Sequence, residues 1–140
     1  MGEYFSGKLD ALEQLTLLPD DGVRWLDLDA DFAMIAAHYR ACFGTEIARA
    51  DFDEGLWRVC ALVEDGVIRS FGGAMYMTET NWEIGAVSTR PEFRGRGYAR
   101  RVCSFVARYI LENGKQATCN TAADNHAMSE VMRAIGMVEQ

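Results

Sequence analysis

"STRPEFRGRGYARR", residues 88–101, sets five arginines (Arg90, Arg94, Arg96, Arg100 and Arg101) and two glycines (Gly95 and Gly97) close together in a 140-residue chain of formal net charge -7. The stretch before it, "NWEIGAVST" (81–89), reads as a strand. The stretch after it reads as a helix from about Tyr98 to Asn113, with Val102, Phe105, Val106, Tyr109 and Ile110 on its apolar face. The cationic turn therefore joins a strand to a helix N-terminus. The first amides of a helix have no intrahelical partner, and the macrodipole is positive there. Glycines let the backbone approach a ligand and take positive φ, and arginines present forked donors suited to phosphate oxygens. Together these features predict a phosphate or pyrophosphate cradle.

Outward from the turn, the pattern is that of a mixed α/β chain. "WRVCALVE" and "VIRSFGGAMYM" flank Asp65-Gly66, a two-residue hairpin signal. "QATCNT" reads as a strand after Gly114, and "DNHAMSEVMRAIG" as a helix capped by Asp124 or Asn125 and ended by Gly136. Nearer the start, "VRWLDLD" (23–29) reads as a strand, and Asp31 opens a helix running to Phe43, with Gly44 as its stop. Leucines at helical spacing in "KLDALEQLTLL" (8–18) predict a short helix. The fold class is an antiparallel hairpin leading into a strand-turn-helix-strand-helix unit. Residues 1–21 form an N-terminal extension and 22–140 a single domain.

Composition narrows the function. No apolar run approaches the roughly 20 residues of a membrane span, and no secretory signal is expected at the start. "MGEYFS" matches the loose myristoylation pattern, but no polybasic patch follows as a second membrane signal, so no membrane partner is expected. Cys42, Cys60, Cys103 and Cys119 form no C-x-x-C pair and sit in apolar contexts. Buried free thiols, no metal site and a reducing cytoplasm are expected. The negative balance argues against nucleic acid. A nucleotide-binding P-loop would need a lysine that this turn lacks. In the dinucleotide fingerprint G-x-G-x-x-G/A, Arg100 stands at the third glycine position, and the acid expected about 20 residues on is missing.

Arg94-Gly95-Arg96-Gly97-Tyr98-Ala99 resembles the R/Q-x-x-G-x-G/A signature of the GNAT superfamily of acyl-CoA-dependent N-acyltransferases, and it follows a strand and "RPEF" as in that family. "NTAADNHAMSEVMRAIGM" is similar to the family's later N-x-x-A-x-x-x-Y-x-x-x-G-F segment, with Asn125 and Gly136-Met137 in place. The likeness is firm from about Trp57 to Met137. It implies a GNAT-like fold that takes acetyl-CoA as co-substrate. By this resemblance, backbone groups of Val87, Ser88 and Thr89 pair with the pantetheine arm. The amides from Gly95 through Arg96, Gly97, Tyr98 and Ala99 to Arg100 hold the pyrophosphate. Arg94 supports the loop, Asn125 faces the thiol end, and a backbone N–H near Val87 stabilises the oxyanion. Glu83, eleven residues before Arg94, stands where some members keep a general base. Strand alternation puts Glu83, Gly85, Val87 and Thr89 on one face, with Gly85 leaving room for substrate.

Two departures stand out. Met132 occupies the position of the usual tyrosine acid. The chain runs only three residues past Met137, so the closing strands are short or absent, replaced by the N-terminal segment or supplied by a second subunit, and a homodimer is expected. The expected function is N-acetyl transfer from acetyl-CoA to a primary amine of a small molecule or peptide. The alternative is a protein of this fold that binds CoA or a protein partner without turnover.

Overall fold

The computed structural model describes residues 4–140, so Gly2 of the myristoylation pattern lies outside the described residues. Seven strands and three α-helices follow in the order β1 (Tyr4–Leu9), β2 (Val23–Trp25), α1 (Phe32–Phe43), β3 (Trp57–Glu64), β4 (Val67–Met75), β5 (Asn81–Thr89), α2 (Tyr98–Glu112), β6 (Gln116–Ala122), α3 (His126–Ala134) and β7 (Val138–Glu139). The strands form one sheet in the order β2-β3-β4-β5-β6-β1-β7. Every pairing is antiparallel except β5 with β6. This mixed sheet with its strand-turn-helix-strand-helix unit is the expected fold class. No helix among the described residues is long and apolar enough to cross a membrane.

Helices cover both faces of the sheet. α2 and α3 bury Val102, Val106, Ile110 and Met132 against Leu62, Ile84 and Leu9. On the other face α1 and the loops beside it pack Ile35 and Phe52 against Val59, Ile68 and Phe71. The hairpin turns at Asp65-Gly66, both at positive φ as such a turn requires. Gly44 ends α1 in the left-handed conformation. Asp31 precedes α1 but does not cap it, because its carboxylate is taken by Arg24 at 3.0 and 3.1 Å and by the Asp27 amide at 2.8 Å. β2 stops at Trp25, four residues earlier than its sequence suggests. Beyond it Asp27 Oδ1 accepts from the amides of Asp29 and Ala30 and turns the chain.

The N-terminal segment corrects the sequence reading most. The helix expected over 8–18 is absent; residues Tyr4–Leu9 are a strand, and only Leu12–Gln14 make a 3-10 turn. Pairing with β6 from Tyr4↔Ala122 to Leu9↔Ala117 overrides the leucine spacing. Phe5, Gly7 and Leu9 alternate inward, but the glycine contributes no hydrophobic signal, so the period of two is hidden. β1 occupies the edge of β6, and the two-residue β7 pairs with β1 in turn. Leu15 and Leu18 then pack on the α2 side of the core while Leu12 and Leu17 are exposed.

Candidate functional site

β5 and β6 set the site. They pair in parallel only at Asn81↔Gln116, Trp82↔Ala117 and Glu83↔Thr118, then part. From Ile84 onward one edge of β5 faces β4 and the other faces an open cleft of about 850 Å³. The cleft is lined by Ile84–Thr89 of β5, by Phe93–Arg100, by Cys119–Thr121 of β6 and by Asn125, Ala127, Met128, Glu130 and Val131 at α3; Phe43 closes one side. Val87, Ser88, Thr89, Arg94 to Arg100 and Asn125 thus share one cavity wall.

β5 bulges within this wall. The register with β4 shifts between Phe71↔Ser88 and Gly73↔Gly85, and Ala86 takes φ +56°. One extra residue exchanges the faces of the strand. Glu83 pairs with Met75 and Gly85 with Gly73, on the α1 side. Beyond the bulge Ser88 is on that same side, 2.9 Å from His38 Nε2 of α1. Val87 instead approaches Gly72 and the α2 core, and Thr89 Oγ1 lies 2.9 Å from buried Ser70 Oγ. The expectation that Glu83, Gly85, Val87 and Thr89 share a face therefore fails, because simple alternation does not survive a bulge. The space expected beside Gly85 is also taken: a Cβ there would collide with the Met75 side chain.

The five arginines divide by role. Arg94 Nε donates to the Thr89 carbonyl at 3.1 Å and braces the turn against the strand it leaves. Arg101 donates to the carbonyls of Pro19 and Asp21 and pins the segment before β2. Arg90 is largely buried near His38, its Nε without a hydrogen-bond partner. Arg96 and Arg100 line the cleft, exposed, with Arg96 5.5 Å from the Phe93 ring. Gly95 and Gly97 both take φ +79° with open space where a Cβ would be, so each is fixed by conformation and not by crowding. Gly97 directly precedes α2, and the amides of Tyr98, Ala99 and Arg100, without intrahelical partners, belong to the cleft wall. This end of the cleft fits a dianionic pyrophosphate. The open β5 edge leading from it fits an extended, amide-bearing chain.

Glu83 is not among the residues that line the cleft; it stands just outside, at the last β5–β6 pair before the strands part. Its Oε1 accepts from Asn120 Nδ2 at 2.8 Å. Asn125 lines the cleft, and its side-chain oxygen accepts from the Met128 amide as the cap of α3. Met132 is fully buried, its Cε lying against Gly7 of β1 rather than in the cleft. His126 and Ser129 line a separate recess beside β1. No group of three or more His, Cys, Asp or Glu suited to a metal ion occurs among the described residues. The four cysteines are free. Burial pushes the Cys119 thiol up to about 12 and also raises Cys42, Cys60 and Cys103.

Sequence reasoning missed His38. It is 1% exposed, stacked on Phe71 at 5.6 Å, and lies 3.5 Å from Cys42 Sγ. Its place on the apolar stripe of α1, next to Ile35 and Tyr39, was the available signal.

Solved structures share this architecture. A GNAT-family protein from Novosphingobium aromaticivorans superposes with a TM-score of 0.80 at 20% identity, covering 98% of this chain and 59% of its own. AAC(6')-Iy, solved with the bisubstrate analog CoA-S-monomethyl-acetylneamine, gives 0.66 at 18% identity over 81% of this chain and 88% of its own. The ribosomal-protein-S18-alanine N-acetyltransferase of Escherichia coli gives 0.66 at 11% identity over 80% and 74%. This chain spans 48% to 59% of the length of five of the matched proteins. No curated protein sequence matches it. The model of the FR47-like protein family matches residues 62–140, more than half the chain and all of the cleft except Phe43. With the signature turn, the parted strands and this match in agreement, the chain belongs to the FR47-like family, within the GNAT superfamily.

Proposed function

We propose that the protein is an N-acetyltransferase that moves an acetyl group from acetyl-CoA to a primary amine of a small molecule or peptide. The observation that carries this reading is one cleft lined by the helix-start residues Gly95–Arg100 and by the free strand edge Val87–Thr89, with Glu83 just beyond its lining and hydrogen-bonded to the lining residue Asn120. A pantetheine arm laid along β5 would pair with it as an added strand. Its thioester would then reach the point where β5 and β6 part.

Transfer needs a neutral amine. The neutral amine attacks the thioester carbonyl carbon, and Glu83 takes the proton that its nitrogen loses as the C–N bond forms. The carbonyl electrons move to oxygen, and a backbone N–H near Val87 donates to that oxyanion. Its collapse breaks the C–S bond and releases CoA as thiolate. Met132, which points into the core, does not serve as proton donor in this scheme. A thiol of reference pKa about 8.5 leaves without one. The free cysteines suit a reducing compartment such as the cytoplasm.

The buried Met132 also favours a second reading, CoA binding without turnover. Thiol release from acetyl-CoA separates the two when measured with spermidine, neamine and an alanine-terminated peptide as acceptors. Amine-dependent release supports transfer. Calorimetric CoA binding with no release for any acceptor supports the second reading, and absence of CoA binding removes both.

A further inference from the structure

Glu83 is held by residues from two neighbouring strands. On β6, Asn120 donates from Nδ2 to Glu83 Oε1 at 2.8 Å. On β1, Ser6 stands in register with Asn120, and its hydroxyl donates to Asn120 Oδ1 at 2.5 Å. The three side chains run across the sheet from β1 through β6 to β5, at the point where the cleft opens. We propose that Ser6 and Asn120 are positioning residues for the Glu83 carboxylate, so that the N-terminal strand completes the catalytic site; this rests on the reading of Glu83 as the base.

The chemistry of the three groups gives the relay a direction. An ionised carboxylate only accepts, a carboxamide has one accepting and one donating end, and a hydroxyl does either. Glu83 therefore takes the Asn120 amino group, which leaves Oδ1 facing β1, where only a donor fits. Ser6 supplies that donor. With both ends of the carboxamide engaged, the exposed Asn120 side chain is biased toward the orientation that holds Glu83 through Oε1. Oε2 is left to receive the proton of an amine or of an intervening water. A base loses rate steeply when it is displaced by even an ångström, so restricting one rotatable carboxylate bears on turnover more than on cofactor affinity. The opening of the cleft also explains why the brace comes from β6 and β1. β5 loses its β6 partner just after Glu83, so the carboxylate has no further strand pairing beyond that point to fix it.

The placement of Ser6 depends on β1 occupying the edge of β6. Through Asn120 this strand thereby acts on the base, which ties catalytic competence to correct docking of β1.

The test is steady-state kinetics of thiol release from acetyl-CoA, with spermidine, neamine and an alanine-terminated peptide as probes, on the whole chain and on Ser6→Ala, Ser6→Thr, Asn120→Ala, Ser6→Ala/Asn120→Ala and Glu83→Gln. The expected result is a kcat reduced about 10-fold or more in Asn120→Ala, and less in Ser6→Ala, with KM for acetyl-CoA unchanged. Ser6→Thr, which keeps the hydroxyl, restores kcat, and the double variant is no worse than Asn120→Ala alone. Asn120 carboxamide proton signals in NMR spectra should move in both Ser6→Ala and Glu83→Gln. A loss of turnover in Glu83→Gln, with parental kcat in Asn120→Ala and Ser6→Ala, overturns the relay and leaves the base standing. Full turnover in Glu83→Gln, or no release by the parent with any probe, overturns both. Additive losses without threonine rescue make the two residues merely structural and overturn the relay.

Discussion

His38 Nε2 lies 2.9 Å from Ser88 Oγ, tying the middle of α1 to the strand segment whose free edge lines the cleft. The imidazole is 1% exposed. Its pKa is pushed down to about 4, first by burial, with Arg90 adding to the effect and backbone contacts at Ile68 and Ser88 opposing it. The ring is thus neutral at ordinary pH, and one nitrogen is free to pair with the serine hydroxyl.

A pH dependence of stability follows. Above about 6.5 the histidine is neutral in both folded and unfolded chains and contributes no slope. Between about 6.5 and 4 the unfolded chain binds a proton that the folded chain refuses, so stability falls as pH falls, by roughly 3 kcal/mol in all. Urea unfolding at several pH values should show this loss in the parent. In His38→Gln, whatever its stability at neutral pH, that part of the slope should vanish. An unchanged slope would show that His38 titrates normally.

The turn that carries the charge was legible because three local signals coincide there: glycine, arginine and a helix start. The hairpin, β5, α2 and α3 were legible for the same reason, each fixed by a short-range pattern of its own. β1 was not, since Gly7 stands in its inward row and the pairing that makes it a strand joins residues more than a hundred positions apart. The facing of Val87 and Thr89 was misread because nothing in "EIGAVST" marks Ala86 as a bulge residue at positive φ. Only the mismatch with β4 reveals it. The contact on Glu83 is hidden by the same gap: Asn120 meets Glu83, and Ser6 meets Asn120, only across strands.

Gly97→Glu should abolish CoA binding. Positive φ makes any side chain there cost about 1–2 kcal/mol of stability, but no atom lies within 4 Å of where the Cβ would go, so the chain should still fold. The added carboxylate would sit beside the first amides of α2, where the phosphates are expected. Gly97→Ala serves as the control, carrying the strain without the charge. Calorimetry should show measurable affinity for the alanine variant and none for the glutamate variant. Equal affinities would remove the phosphate site from this turn.

Arg100 and Arg101 are adjacent, and their substitutions should separate cleanly. Arg101→Ala removes the donors to the Pro19 and Asp21 carbonyls, so it should lower the urea midpoint with CoA affinity intact. Arg100→Ala, at the cleft wall, should leave the midpoint unchanged and weaken CoA binding, with a smaller salt dependence than the parent. The opposite pattern would reverse the assignment of the two side chains.

Gly7→Val should unseat β1, and a thiol should report it. A Cβ at Gly7 would lie 3.0 Å from Met132 Cε and 3.2 Å from Met137 Cβ, tight already for alanine and over-packed for a branched side chain. Such overpacking costs about 1–3 kcal/mol, concentrated on the strand that can move. Gly7 is in register with Cys119, which is 2% exposed, with its thiol held up to about 12 by burial. In the parent at pH 8, a disulfide reagent should therefore react with partly exposed Cys42 while Cys60, Cys103 and Cys119 stay silent. Once β1 shifts in Gly7→Val, Cys119 gains water, its pKa falls toward that of an ordinary thiol, and a second cysteine should react before global unfolding. Mass mapping should find the new label at Cys119. Labelling confined to Cys42 in both proteins would mean that β1 accommodates the valine and that the contact with Met132 and Met137 does not hold the strand in place.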